Sequence, residues 1–311
     1  MTSFLFPGQG SQAPGMGRAL AETFPVARET FEEADEALGF ELSKLCFEGP
    51  EDELKRTEIT QPAILTTSVA TLRALASARP DLRPRYVAGH SLGEWSALVA
   101  AGALTFPDAV RLVRERGRLM QAAVPLGEGA MLAVLGLTAE VVTAVCAEVS
   151  QTSGVVFAPA NFNSPEQIVV SGSAAAAELA QTKLTEAGAK RIVPLPVSAP
   201  FHSPLMAPAA EGLREALADV AVSEPAVPVI TNVEAAPNSD AARVKALLVD
   251  QVTAPVRWVE SVQALVATGE TSAFEIGPGK VLMGLARRID RKLKVTPIED
   301  PAGLEKAIAL L

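Results

Sequence analysis

The stretch Gly89-His90-Ser91-Leu92-Gly93 constrains this chain more than any other. A serine between two glycines, directly after the short extended run Tyr86-Val87-Ala88, is the pattern of a nucleophile elbow, a sharp strand-to-helix turn. Both glycines are required because the turn is tight and strained, and a side chain on either would strike the neighbouring strand or helix. Leu92 to Ala101 reads as the helix, with Leu92, Trp95, Leu98 and Val99 on one apolar face and Gly102 as its stop. Such a turn lifts the Ser91 oxygen out of a sheet and aims the first N–H groups of the helix at whatever reacts there. A Gly-rich turn can hold a serine by chance; the strand before it and the helix after it argue otherwise.

The rest of the chain supplies that sheet. Ser3 to Phe6 is a short apolar strand broken by Pro7-Gly8-Gln9-Gly10-Ser11-Gln12, and helical patterns follow at 16–24, 26–38, 51–56, 62–78 and 106–124. Strands alternating with helices predict an α/β fold with a mostly parallel sheet. With 311 residues, 49% of them hydrophobic, the chain has material for about two domains and a large core. Residues 127–197 follow a different pattern. Strand 130–135, helix 138–149, strands 154–158 and 167–170 flanking the polar turn Asn161-Phe162-Asn163-Ser164-Pro165, helix 173–187 and strand 191–195 give the order βαββαβ of a ferredoxin-like unit. Thr138 stands where it can cap the first helix. The expected division is a discontinuous catalytic domain, 1–126 and 198–311, with a small domain, 127–197, inserted into it.

Composition narrows the partners. A net charge of −9 and 5% aromatic residues disfavour nucleic-acid and membrane-surface binding, which want basic footprints and, for single strands, stacking platforms. Cys46 and Cys146 are lone cysteines without disulfide or metal spacing, so no metal is expected and a reducing cytoplasm fits best. The first residues carry no basic region of a signal peptide, and no apolar run approaches ~20 residues.

A serine nucleophile needs a base, and the chain has two histidines. His90 adjoins Ser91 on the sharp turn, where neighbouring side chains diverge, and is assigned a structural hydrogen bond within the elbow. His202 lies in Pro200-Phe201-His202-Ser203-Pro204, held by two prolines, and is the candidate base. No acid stands out to orient it, so a backbone carbonyl or side-chain amide would set the tautomer and make the site a dyad. In Arg111-Leu112-Val113-Arg114-Glu115-Arg116-Gly117-Arg118, Arg111, Arg114 and Arg118 share a solvated helix face. Arg116 is about 200° from Arg114 and points to the core. An inward arginine is costly unless it meets an anion, and a substrate carboxylate is the obvious one. The Gly8-Gln9-Gly10 turn matches no phosphate-binding spacing, but it can offer a second oxyanion N–H.

Together these stretches resemble the malonyl-CoA:acyl-carrier-protein transacylase family. The likeness runs through Phe6-Pro7-Gly8-Gln9-Gly10-Ser11-Gln12, Gln61-Pro62-Ala63, Gly89-His90-Ser91-Leu92-Gly93-Glu94 and Arg116-Gly117. It continues in Asn161-Phe162-Asn163-Ser164-Pro165, Pro200-Phe201-His202-Ser203 and Phe274-Glu275-Ile276-Gly277-Pro278-Gly279, covering essentially the whole chain. The resemblance implies an α/β-hydrolase-like large domain with a ferredoxin-like insert. It implies that Ser91 is the nucleophile, His202 its base and acid, and Arg116 the holder of a malonyl carboxylate. Backbone N–H groups of Gln9 and Leu92 would form the oxyanion hole, and the main-chain carbonyl of Gln251 would orient His202. Phe201 would crowd a branched acyl group, as in malonyl-type rather than methylmalonyl-type members. The substrates implied are malonyl-CoA and holo-acyl carrier protein, with CoA released and no cofactor; separately, a monomer is expected.

Since carrier proteins of this kind are acidic and this chain is too, docking calls for a local basic patch. Arg287-Arg288-Ile289-Asp290-Arg291-Lys292-Leu293-Lys294 is the densest cluster, though equally a solvated helix end. The alternatives are a malonyl loader of a polyketide pathway, chemically the same enzyme, a serine thioesterase or esterase using water as acceptor, and a silent module that only displays acyl carriers.

Overall fold

The computed structural model describes residues 2–197 and 199–311; Met1 and Ser198, which bound two of the expected domain segments, lie outside the described residues. Among the described residues ten strands form two sheets: β1 (Ser3–Phe6), β2 (Val87–Gly89), β3 (Gly129–Leu135), β4 (Phe157–Ser164), β5 (Gln167–Ser173), β6 (Arg191–Pro194), β7 (Val229–Ile230), β8 (Pro237–Asn238), β9 (Ser272–Ile276) and β10 (Lys294–Ile298). The larger sheet has the order β10-β9-β1-β2-β7-β8 and is parallel except for β8.

Its short strands are apolar at nearly every position because both faces are covered. Phe4, Phe6, Val87, Val229 and Phe274 enter a core with helices 57–78, 92–100 and 106–122, while Leu5, Ala88, Ile230 and Ala273 enter a second core with helices 258–267 and 281–289. This is the α/β layering that the alternation predicts and the α/β-hydrolase-like large domain that the resemblance implies. Helix Thr57–Ala78 begins five residues earlier than the pattern suggested, with Pro62 inside it.

The smaller sheet, β4-β5-β3-β6, is antiparallel throughout, the strand order of a ferredoxin-like fold. Period-two alternation splits its faces. Leu132, Val134, Ile168 and Val170 pack on helices 139–153 and 174–186, whereas Met131, Ala133 and Val169 face the large sheet's core. One face therefore closes its own core and the other packs on the larger sheet's core, with Met131 lining the cleft beside Ser91.

Three local readings need correction. Asn161 to Ser164 is not a turn but the second half of β4, paired with β5 through two register shifts; the turn is Pro165-Glu166. Asn161 and Asn163 have turn-like chemistry, yet tertiary partners hold them extended: Phe162 donates its N–H to the Val256 carbonyl and Val256 donates to that of Ala160. Thr138 sits at its helix start without accepting a capping bond. The elbow helix is buried on all sides from Leu92 to Leu98, not on one face. Among the described residues no helix is long and apolar enough to cross a membrane.

Candidate active site

The elbow forms where β2 ends between β1 and β7. Ser91 has φ 50° and ψ −106°, a strained conformation for a residue with a side chain. The glycines are required by contact. A Cβ on Gly89 would stand 1.9 Å from the Gly93 carbonyl carbon, and one on Gly93 would stand 2.0 Å from the Phe6 carbonyl oxygen. Gly8 packs equally closely on the His90 carbonyl, which brings the loop carrying Gln9 against the elbow.

Ser91 Oγ lies 2.8 Å from His202 Nε2. On the far side of the ring, His202 Nδ1 is 2.9 Å from the Gln251 carbonyl oxygen and 3.2 Å from that of Ala254. Both oxygens only accept, so Nδ1 carries the proton and Nε2 is the acceptor for the Ser91 hydroxyl. Among the described residues no carboxylate touches the imidazole; two carbonyls do the orienting. His202 itself has φ 56°, and Ser171 Oγ of the small sheet donates to the Phe201 carbonyl next to it (2.7 Å). Burial, followed by the nearby Arg116 charge, pushes the imidazole down to about 3.

Arg116 is 2% exposed on helix 106–122. Its Nη1 donates to Gln61 Oε1 (2.7 Å), and its Nη2 to Gln251 Oε1 (2.9 Å) and Ser91 Oγ (3.1 Å). Nε is buried with no partner among the described residues. No carboxylate pairs with the guanidinium in an ion bridge among them, and burial lowers it to about 10, still cationic at neutral pH. Nε and Nη2 form the side of the fork that takes a carboxylate two-pronged, one of them unpaired and the other resting on Ser91 Oγ. Arg111, Arg114 and Arg118 are exposed on the opposite face.

The cleft is lined by Gln9, Gln61, His90, Ser91, Leu92, Arg116, Met120, Met131, Asn161, Leu195, Val197, Phe201 and His202. The structure thus brings six of the seven candidate residues to the cleft wall, and the seventh, Gln251, lies behind His202 and Arg116. Neither the Gln9 nor the Leu92 backbone N–H has a partner among the described residues. His90 keeps its own backbone as a hydrogen-bond partner within the elbow, as expected, and its Nε2 is also 2.7 Å from Asn163 Oδ1 of β4, with the ring near Trp258.

The residue reading missed the frame behind these groups. Asn232, just beyond β7, accepts from Ser91 N–H (2.7 Å) and donates to the Gly89 carbonyl (2.6 Å), so one side-chain amide spans the elbow like a neighbouring strand. Glu94 Oε2 accepts from Asn232 N–H (2.9 Å) and from Gln251 Nε2 (2.7 Å). Burial pushes the Glu94 carboxyl up to about 7. An acid among Leu92, Trp95 and Leu98 was the available signal; nothing local marked Asn232. The basic cluster lies elsewhere: Arg287, Arg288 and Arg291 border a cleft with Ser164, Pro165 and Glu166 of the small sheet.

Residues 3–299 match the acyl transferase domain family. The chain belongs to that family. The malonyl CoA-acyl carrier protein transacylase of Bacillus subtilis is 50% identical over 99% of this acyl transferase and 96% of the relative. The enzyme of the same name from Escherichia coli K12 is 45% identical over 99% of each chain. Among solved structures, an acyl-carrier-protein S-malonyltransferase from Burkholderia pseudomallei superposes with a TM-score of 0.96 at 51% identity, covering 99% of this chain and 100% of that one. A malonyl-transacylase in complex with its type II polyketide acyl-carrier protein does so with 0.96 at 44% identity, covering 100% and 99%.

Proposed function

We propose that this acyl transferase moves a malonyl group from malonyl-CoA to the phosphopantetheine thiol of an acyl carrier protein for fatty-acid synthesis, through an ester on Ser91. The observation that carries the reading is the buried Arg116, 3.1 Å from the nucleophile and without a carboxylate partner of its own. A thioesterase or esterase needs no cation there, and one left unpaired in a dry site is costly.

In this mechanism Arg116 turns its Nε–Nη2 edge to the malonyl carboxylate and releases Ser91 Oγ. Ser91 attacks the thioester carbonyl as its proton passes to His202 Nε2, and the imidazolium is stabilised by the Gln251 and Ala254 carbonyls. The oxyanion takes the free N–H groups of Gln9 and Leu92. Collapse expels the CoA sulfur, which takes the proton from His202 and leaves malonyl-Ser91. The carrier thiol then gives its proton to His202, attacks the ester, and frees Ser91 as His202 returns the proton to Oγ. Ser91 carries the group between two substrates, so no resident cofactor enters. Phe201 narrows the cleft against a branched acyl chain. We further read 127–197 as an inserted domain on 1–126 and 198–311, the protein as cytoplasmic, and Arg287 and Arg288 as the face that meets the acidic carrier.

Steady-state transfer to holo-carrier tests the reading. Double-reciprocal plots against malonyl-CoA at several carrier concentrations should be parallel; release of CoA without malonyl-carrier would make water the acceptor and sink the transferase.

The depressed imidazole gives a second expectation. His202 is the neutral base at any pH above about 3, so its working form is lost only as pH falls well below the ordinary histidine range. With a neutral ester such as p-nitrophenyl acetate, which leaves the Arg116 charge uncompensated, kcat/KM should lack an acid limb near 6.5. A limb at the ordinary histidine value would show that His202 is solvated in the working enzyme.

A further inference from the structure

Glu94 is a buried acid that the transfer mechanism does not use. It is the third residue of the elbow helix, 2% exposed, within hydrogen bonds of two chain segments remote in sequence. Its partner Gln251 is fully buried and serves two masters: its main-chain carbonyl holds His202, and its side-chain oxygen holds Arg116.

A glutamine amide can lie either way round, and only one way serves Arg116. Turned over, it would present an NH2 to a guanidinium that can only donate. The three groups facing Gln251 Nε2 at bonding distance are all acceptors: the Glu94 carboxyl oxygen at 2.7 Å, the Ser91 carbonyl at 3.1 Å and Asn232 Oδ1 at 3.4 Å. The Glu94 contact is the shortest, so it is the strongest constraint. The same carboxylate oxygen receives the Asn232 N–H, and the Asn232 side chain clamps both ends of the elbow. When ionised, Glu94 also places a negative charge one amide away from Arg116, which has no direct ionic partner among the described residues.

We infer that Glu94 is a positioning residue for donor selectivity: it fixes the Gln251 side-chain amide so that its oxygen holds Arg116 over Ser91. It touches no reacting atom. The inference deepens the proposed reading and rests on it for its kinetic half alone.

Glu94→Leu removes the acceptor, Glu94→Asp withdraws it by one methylene, and Glu94→Gln keeps an acceptor oxygen without the charge. Rates of acyl-Ser91 formation from malonyl-CoA and acetyl-CoA separate selectivity from general damage, since acetyl has no carboxylate for Arg116. In Glu94→Leu the malonyl-over-acetyl preference should fall by about tenfold or more, with the acetyl rate within about threefold of wild type, the size expected for loss of one charge-assisted contact. Glu94→Asp should move in the same direction and Glu94→Gln should retain most of the preference. Crystal structures of the Leu or Asp variant should show the guanidinium displaced from Ser91 Oγ. Equal loss with both donors, or an Arg116 that stays in place with its preference intact, would overturn the inference. If wild type takes no malonyl group at all, the functional reading fails, while the position of Arg116 in the variant crystals still decides whether Glu94 holds it.

Discussion

Ser91→Ala is expected to lower malonyl transfer by a factor of the order of 10⁶, the loss found when a serine nucleophile is deleted from a coupled serine–histidine unit. The fold should survive. Ser91 sits in a strained turn whose geometry is set by Gly89, Gly93 and the Asn232 amide, and none of these uses its hydroxyl. Alanine keeps the N–H that Asn232 accepts. What is lost is the one atom that bonds His202 at 2.8 Å and carries the acyl group. Circular dichroism and thermal melting should match wild type, while malonyl-carrier formation falls to background. Retained transfer in this variant would mean that the nucleophile is another group.

The second large effect is on choice of donor. Arg116→Ala deletes the cation that the malonyl carboxylate meets, at about 1.5–3 kcal/mol for each charge-assisted bond lost. Two such bonds correspond to a fall of about 10² to 10⁴ in the preference for malonyl-CoA over acetyl-CoA. The change should lie mainly in the malonyl rate, because acetyl-CoA presents no carboxylate. A companion shift follows from the electrostatics. The Arg116 charge is the second cause, after burial, of the depressed His202 imidazole. Its removal therefore raises that group, and the acid limb with a neutral ester should move toward higher pH. Unchanged donor preference would sink the role given to Arg116, and an unmoved limb would show that burial alone sets the base.

The chemistry was legible because its signals are local. Gly89 and Gly93 are forced by a turn that a single pentapeptide encodes, the two histidines made the search for a base short, and helical spacing alone turns Arg116 inward. The hydrogen-bonded frame was not legible for the opposite reason. Asn232, Glu94 and Gln251 are brought together only when β7, the elbow helix and helix 241–253 pack, and no window of sequence contains more than one of them. The carbonyl that orients His202 leaves no side-chain trace, so the residue pattern could say only that an acid was missing; Gln251 came from family resemblance. Asn161 to Ser164 misled for a related reason. Polar, turn-prone residues form a strand because their side chains and backbone find partners across the cleft, Asn163 on His90 and Phe162 on Val256. His90 is accordingly tied to the small sheet as well as to its own turn.

The central claim is that Ser91 carries malonate between two thiols. Intact-mass spectrometry after brief incubation with malonyl-CoA, with Ser91→Ala alongside, tests it most directly. The account predicts a malonyl-sized adduct on wild type alone, discharged by holo-acyl carrier protein far faster than by water. An adduct that water removes as fast as the carrier does, or one that persists on Ser91→Ala, would contradict it.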